Sequence, residues 1–350
     1  MTTRTRYFVI ASLLVLTVGV GTGLVAYYVG FPTSAFTTEG GAQELRYVPR
    51  DAAVVAFANV QEIMTSELRQ RIKATVPIPE NGQQEFANRT GINIETDIDR
   101  LVACLQPSRG TALPSAGMVV ATGRFDSGKI ESLMREHGAQ VETYRDRRLI
   151  VGTPQMMHGG DRMSTAPDTA ASDLAHSSFA LAFLKPGVIA VGSTPLVRGA
   201  IDQDATGGDN ITLNDEVMTQ VKAVDSGNNA WAIGRFDALQ TQAHLPPAVA
   251  SQIPPITWFS IGTHINGGVR GTLTAQTRDV NSANNLRDVV RGFLGLAKMQ
   301  AGSKPEIQAM IQSLEVEGTG NAVTLSFMVP AQIFDAAAAR RGLEDKQRRH

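Results

Sequence analysis

The chain has 350 residues, with 32 Lys and Arg against 33 Asp and Glu, so it offers no uniform field to gather nucleic acid or an anionic surface. Its one cysteine, Cys104, excludes an intrachain disulfide and leaves the fold to rest on burial. With 33 Gly and 16 Pro, many turns are expected between short elements.

Residues 7–30 form a run of 24 without a charge. At ~1.5 Å rise per residue such a run crosses a ~30 Å hydrocarbon core with some tilt, which predicts a transmembrane helix. Tyr7 at one end and Tyr27 and Tyr28 at the other suit the interfacial belts, where a ring is half buried and its hydroxyl wet. Arg4 and Arg6 precede the span and no Lys or Arg follows it until Arg46. The positive-inside bias therefore puts residues 1–6 in the cytoplasm and the main region in the periplasm or outside the cell. A cleaved signal peptide ending at Thr33-Ser34-Ala35 is the rival reading, opposed by the length of the apolar run and by Pro32 beside the cut. Gly19 and Gly23 form a small-xxx-small pair that lets two helix backbones approach, which points to a homodimer; glycine is also simply frequent in membrane helices.

Residues 31–44 lack periodicity and read as a tether. Beyond it the pattern predicts an α+β region in two related halves, 45–205 and 206–335, with a charged tail over 336–350. Residues 51–58 have the length and apolarity of a strand. Asn59 followed by Glu62 is an N-cap signature, and Val60, Ile63, Met64, Leu68 and Ile72 continue at helical spacing. Residues 99–105 read as an amphipathic helix that buries Cys104 as a small core residue. Leu101-Val102-Ala103-Cys104 has the form of a lipobox but lies far inside the chain.

Residues 117–123 read as a strand entering Arg124-Phe125-Asp126 and a helix with Ile130, Leu133 and Met134 inside. Residues 230–233 enter Gly234-Arg235-Phe236-Asp237, so Gly-Arg-Phe-Asp occurs twice, 111 residues apart. Residues 149–154 match 189–195 as a strand ending in a Pro-started segment, with Thr194 as cap and Pro195 at the first helical position. Hairpins are expected across Lys185-Pro186-Gly187, across Asn266-Gly267 and across 318–321, and an exposed loop over 152–177. A long helix with Leu286, Val289, Val290, Phe293 and Ala297 on its inner face lies between the last two hairpins.

Gly-Arg-Phe-Asp joins a guanidinium, a ring and a carboxylate, yet each Asp stands where a helix needs an acceptor for its free N–H groups, so capping accounts for it. Met156, Met157, His158 and Met163 bring together groups that suit copper(I), but their spacing is loose and a plain loop is preferred. Histidines at 137, 158, 176, 244, 264 and 350 are scattered without HExxH or CxxC, and no metal is expected. Ser177 follows His176, but no Gly-x-Ser-x-Gly elbow exists. No glycine-rich phosphate loop and no aromatic-interleaved basic stripe occur, so neither a cofactor nor nucleic acid is expected, and no residue is assigned as catalytic.

The segment Tyr47-Val48-Pro49-Arg50-Asp51-Ala52-Ala53-Val54-Val55-Ala56-Phe57-Ala58-Asn59-Val60, with the later Gly-Arg-Phe-Asp and Val-Gly-Ser-Thr-Pro junctions, resembles bacterial membrane-anchored envelope proteins of unknown function. The resemblance implies a duplicated α+β domain and no defined activity. The leading expectation is a non-enzymatic accessory or scaffold subunit whose outer domain meets a protein partner in or at the membrane. A carrier of a lipid or small apolar ligand, and a hydrolase built around His176, Ser177 or His264, are the alternatives.

Overall fold

The computed structural model describes residues 43–75, 87–88, 90–106, 116–152, 179–236, 254–300 and 305–334. The expected span with Gly19 and Gly23, most of the expected tether over 31–44, the expected loop over 152–177 except for residue 152, and the expected tail over 336–350 lie outside them. Among the described residues no helix is long and apolar enough to cross a membrane. The described chain is α+β, with antiparallel strands and packed helices.

A 3-10 turn, Gln43–Tyr47, opens it and buries Glu44, Leu45 and Tyr47. Strand β1 (Val54–Asn59) leads into α1 (Val60–Thr65), and the Asn59 side chain accepts the Glu62 N–H at 3.2 Å, the cap that the sequence predicts. That helix does not run on to Ile72. Ser66 turns extended, with φ −62° and ψ 149°, and its hydroxyl accepts the Arg69 N–H at 3.2 Å to start α2 (Glu67–Thr75) afresh.

After the short α3 (Ile94–Asp97), residues 99–105 form part of a strand, β2 (Ile98–Gln106), and not the expected helix. A short apolar run satisfies either period. Its backbone groups here go to β3 (Ala116–Gly123), paired antiparallel from Leu101 opposite Ala121 to Gln106 opposite Ala116. Cys104 is buried in either case. Helix α4 (Ser127–Glu136) begins at Asp126, whose Oδ1 accepts the Lys129 N–H at 3.0 Å.

Strands β4 (Gln140–Tyr144) and β5 (Arg147–Gly152) form a hairpin that the sequence conceals, because the turn is Arg145-Asp146. Both residues take positive φ, 47° and 60°, the values a tight two-residue turn imposes and that Gly or Asn usually supply. The hairpin of β6 (Phe179–Lys185) and β7 (Val188–Ser193) is as expected. In α5 (Thr194–Thr206) the expected cap shifts by one: Thr194 is already helical, and Ser193 occupies the cap position without a side-chain cap bond. Pro195 still sits in the first turn, where its missing N–H costs nothing.

Next come α6 (Asp215–Asp225), β8 (Ala230–Arg235), and the expected hairpin of β9 (Ile256–Ile265) and β10 (Gly268–Thr277). Helices α7 (Val280–Gln300) and α8 (Pro305–Gln312) precede the hairpin of β11 (Glu315–Glu317) and β12 (Ala322–Pro330).

Two compact units result. Of the described residues, the first unit holds 43–55 and 87–219, and the second holds 56–75 and 220–334. Segment 56–75 falls with the C-terminal residues, unlike a cut at 205/206, because β1 lies beside β8 and the Asn59 N–H reaches the Asn229 carbonyl at 2.7 Å. In the first unit the strands run β2-β3-β7-β6-β5-β4, and α5 packs on β6, β7 and the 3-10 turn. In the second the order is β1-β8-β9-β10-β12-β11. The hairpin next to the Gly-Arg-Phe-Asp strand is thus β6–β7 after β3 but β9–β10 after β8.

The second unit buries Leu68, Val269, Met310, Phe327 and Val329 in one cluster, with Ala297 against it. Ala283, Leu286 and Val290 of α7 meet Ala275, Val323 and Val316 in another. With Leu294 also buried, the inner row of α7 is Ala283, Leu286, Val290, Leu294 and Ala297. Phe293, expected inside, lies one row outward and is 40 % exposed.

Candidate functional site

Gly-Arg-Phe-Asp is used up by structure in its first copy. Gly123 closes β3 where a Cβ would overlap the Asp97 carbonyl. The Arg124 guanidinium meets the Thr96 carbonyl and lies 3.5 Å from the Asp97 carboxylate, while Asp126 caps α4. In the second copy Gly234 and Arg235 are the last two residues of β8, and the Phe236 N–H reaches the Thr257 carbonyl at 3.0 Å; Asp237 lies outside the described residues.

His264 does meet a carboxylate. Its Nδ1 lies 3.9 Å from Glu62 Oε1, too far for a hydrogen bond. Both Glu62 oxygens are already engaged, Oε1 by Asn229 Nδ2 at 3.2 Å and Oε2 by Asn59 Nδ2 at 3.1 Å. Asn229 is 1 % exposed and also bonds Ile265. The group therefore ties the start of α1 to the ends of β8 and β9, and Glu62 orients asparagines, not a base. His176 and Ser177 lie outside the described residues, as do His158 and its neighbouring methionines.

The first unit carries a denser polar cluster that no local motif announces. Glu44, 3 % exposed, accepts from Thr122 Oγ1 at 2.6 Å and from Arg100 Nε at 3.0 Å on one oxygen, Oε1. Its Oε2 has no partner among the described residues. Nearby in sequence, the Tyr47 hydroxyl accepts from Arg46 at 2.8 Å and donates to Asp204 Oδ1 at 3.2 Å, and Asp204 Oδ2 takes Arg147 at 3.0 Å. Burial raises the Tyr47 pKa above its ordinary value, so the phenol stays protonated and serves as a donor. Glu131, also buried, is held by Arg148 at 2.9 Å and Arg135 at 3.3 Å. Each buried acid thus has an arginine, as a carboxylate taken out of water requires. Cys104 is inert for the same reason of burial, which pushes its thiol up to about 12.

Where polar chemistry is internally spent, one apolar surface is not. Phe293, Leu296 and Met299 of α7 are 40 %, 48 % and 77 % exposed. With half-buried Val289 they recur at i, i+4, i+7 and i+10, one continuous stripe along the outer side of the helix. Gly292 and Gly295 lie among them with open space above their Cα atoms. Sequence reasoning found the apolar residues of α7 but placed Phe293 and Val289 in the core. The signal was an apolar sector wider than one core face needs.

No protein-family model and no curated protein matches the chain. Among solved structures, crystal form I of TP0453 is similar at 9 % identity with a TM-score of 0.44, over 86 % of this chain and 98 % of that one.

Proposed function

We propose that the chain is a non-enzymatic, single-pass membrane-anchored envelope protein, an accessory or scaffold subunit with its two α+β units on the non-cytoplasmic side. The exposed stripe Phe293, Leu296 and Met299 on α7 supports attachment of the second unit to a surface outside the chain, because large apolar groups aligned along one side of a helix mark a place of contact with a partner or a membrane. The uncharged run 7–30 and the arginines before it support anchorage and orientation. The recurrence of Gly-Arg-Phe-Asp at two strand ends supports descent of the two units from one ancestor, despite their different hairpin order. A protein partner at the membrane belongs to the same reading. Affinity purification of the full chain from gently solubilised native membranes tests it. Stoichiometric co-purification of a membrane complex or envelope component is expected, and recovery of the chain alone contradicts a subunit role.

A further inference from the structure

We infer that the outer stripe of α7 lies on the lipid surface of the membrane that holds the chain, with Phe293, Leu296 and Met299 in the headgroup–acyl boundary. The inference rests on the anchored reading above and names what the stripe touches. Three observations favour lipid over a protein partner.

The first is size. The three exposed side chains of the stripe present at most a few hundred Å², well short of the ~800 Å² per partner of a stable protein–protein interface. A bilayer asks for no complementary shape, only for apolar groups that reach it.

The second is charge. The segment 278–300 carries Arg278, Arg287, Arg291 and Lys298 against Asp279 and Asp288. A chain with a formal net charge of −1 is locally basic here, as a helix lying on anionic headgroups requires. Arg287 is partly committed to the Gly320 and Ala322 carbonyls at 3.1 and 3.0 Å, and Arg291 lies 3.7 Å from Asp288. Lys298 and Arg291 are exposed on the polar face of the helix, each about 200° around it from Leu296 and Phe293 respectively.

The third is reach. Between Gly30 and Gln43 the chain has only residues 31–42, which extend to about 40 Å at most. The surface of the bilayer is thus always within a molecular diameter of the described units, and weak apolar contacts act at high effective concentration.

The test uses the full chain reconstituted in vesicles of phosphatidylcholine with about one quarter phosphatidylglycerol. An environment-sensitive fluorophore is attached at Leu296→Cys or, as control, at Asn284→Cys on the polar side of α7. Cys104 is 3 % exposed and does not compete for label. We expect quenching by lipids spin-labelled near the headgroup to be at least about threefold stronger at position 296 than at 284, and the difference to shrink in Phe293→Asp or on omitting phosphatidylglycerol. Equal quenching at the two positions overturns the inference, as does self-quenching between two labels at 296, which would put a second copy there. Alkaline carbonate extraction of the same vesicles separates the readings. Retention in the membrane without selective quenching defeats the docked helix and leaves the anchor standing. Release with selective quenching defeats the anchor and upholds the docked helix.

Discussion

Asn229 satisfies both backbone polar groups of Ile265, its Nδ2 donating to the carbonyl and its Oδ1 accepting the N–H, each at 2.9 Å. An amide side chain here substitutes for one more residue of a neighbouring strand. Truncation by Asn229→Ala removes the side-chain partner of both backbone groups of Ile265, while the half-exposed Glu62 carboxylate can turn to water. A loss of about 2–4 kcal/mol is expected, because an unmatched buried polar group loses its full desolvation penalty. Urea denaturation of variant and parent measures it; a loss within the error of the extrapolation would remove the cluster from the account of stability.

The Arg145-Asp146 turn holds two non-glycine residues at positive φ. Asp146→Gly relieves one of them, with a gain of about 1 kcal/mol expected. Arg145 is better kept, since it pairs with Asp202, which also accepts from the Tyr144 hydroxyl at 3.1 Å. Thermal unfolding should show an upward shift; no shift would mean that the turn relaxes freely.

Gly123 answers for the first letter of Gly-Arg-Phe-Asp. A methyl there would overlap the Asp97 carbonyl and come within 2.8 Å of Ile98 Cα, and backbone cannot rotate away as a side chain can. Gly123→Ala should destabilise by about 2–3 kcal/mol. If binding were the reason for the motif, the same change would leave stability untouched, and calorimetry distinguishes the two.

Burial that pushes the Cys104 thiol up to about 12 has a pH signature. The unfolded thiol ionises near an ordinary value of about 8.5. The native one stays protonated, so its contribution is fully present below that pH and is lost as pH rises through the native value. Between pH 9 and 11 the parent should lose stability relative to Cys104→Val by about 1.4 kcal/mol per pH unit. Ellman's reagent should report no thiol in the native state and one after denaturation.

Local signals were the legible part of this chain. Asn59 and Asp126 caps, the Asn266-Gly267 turn and the Lys185-Pro186-Gly187 turn each depend on a few adjacent residues, and each is where the sequence puts it. What failed was decided at a distance. Residues 99–105 are a strand because β3 is there to pair with them, and a seven-residue window does not contain β3. The α7 face was misjudged for a related reason: with Val289, Val290, Phe293 and Leu294 all apolar, only the position of Ala275 and Val323 decides which row turns inward. The Glu44, Arg100 and Thr122 cluster was invisible, since Glu44 reads as the last residue of a tether until two strands close over it.

Anchorage is the central claim, and protease treatment of intact spheroplasts tests it most directly. With residues 7–30 spanning the membrane and the units outside, external protease should degrade the units while a short N-terminal fragment stays with the membrane. Full protection of the chain until the spheroplasts are lysed would contradict the orientation, and an accessible chain that leaves no membrane-bound fragment would contradict the anchor.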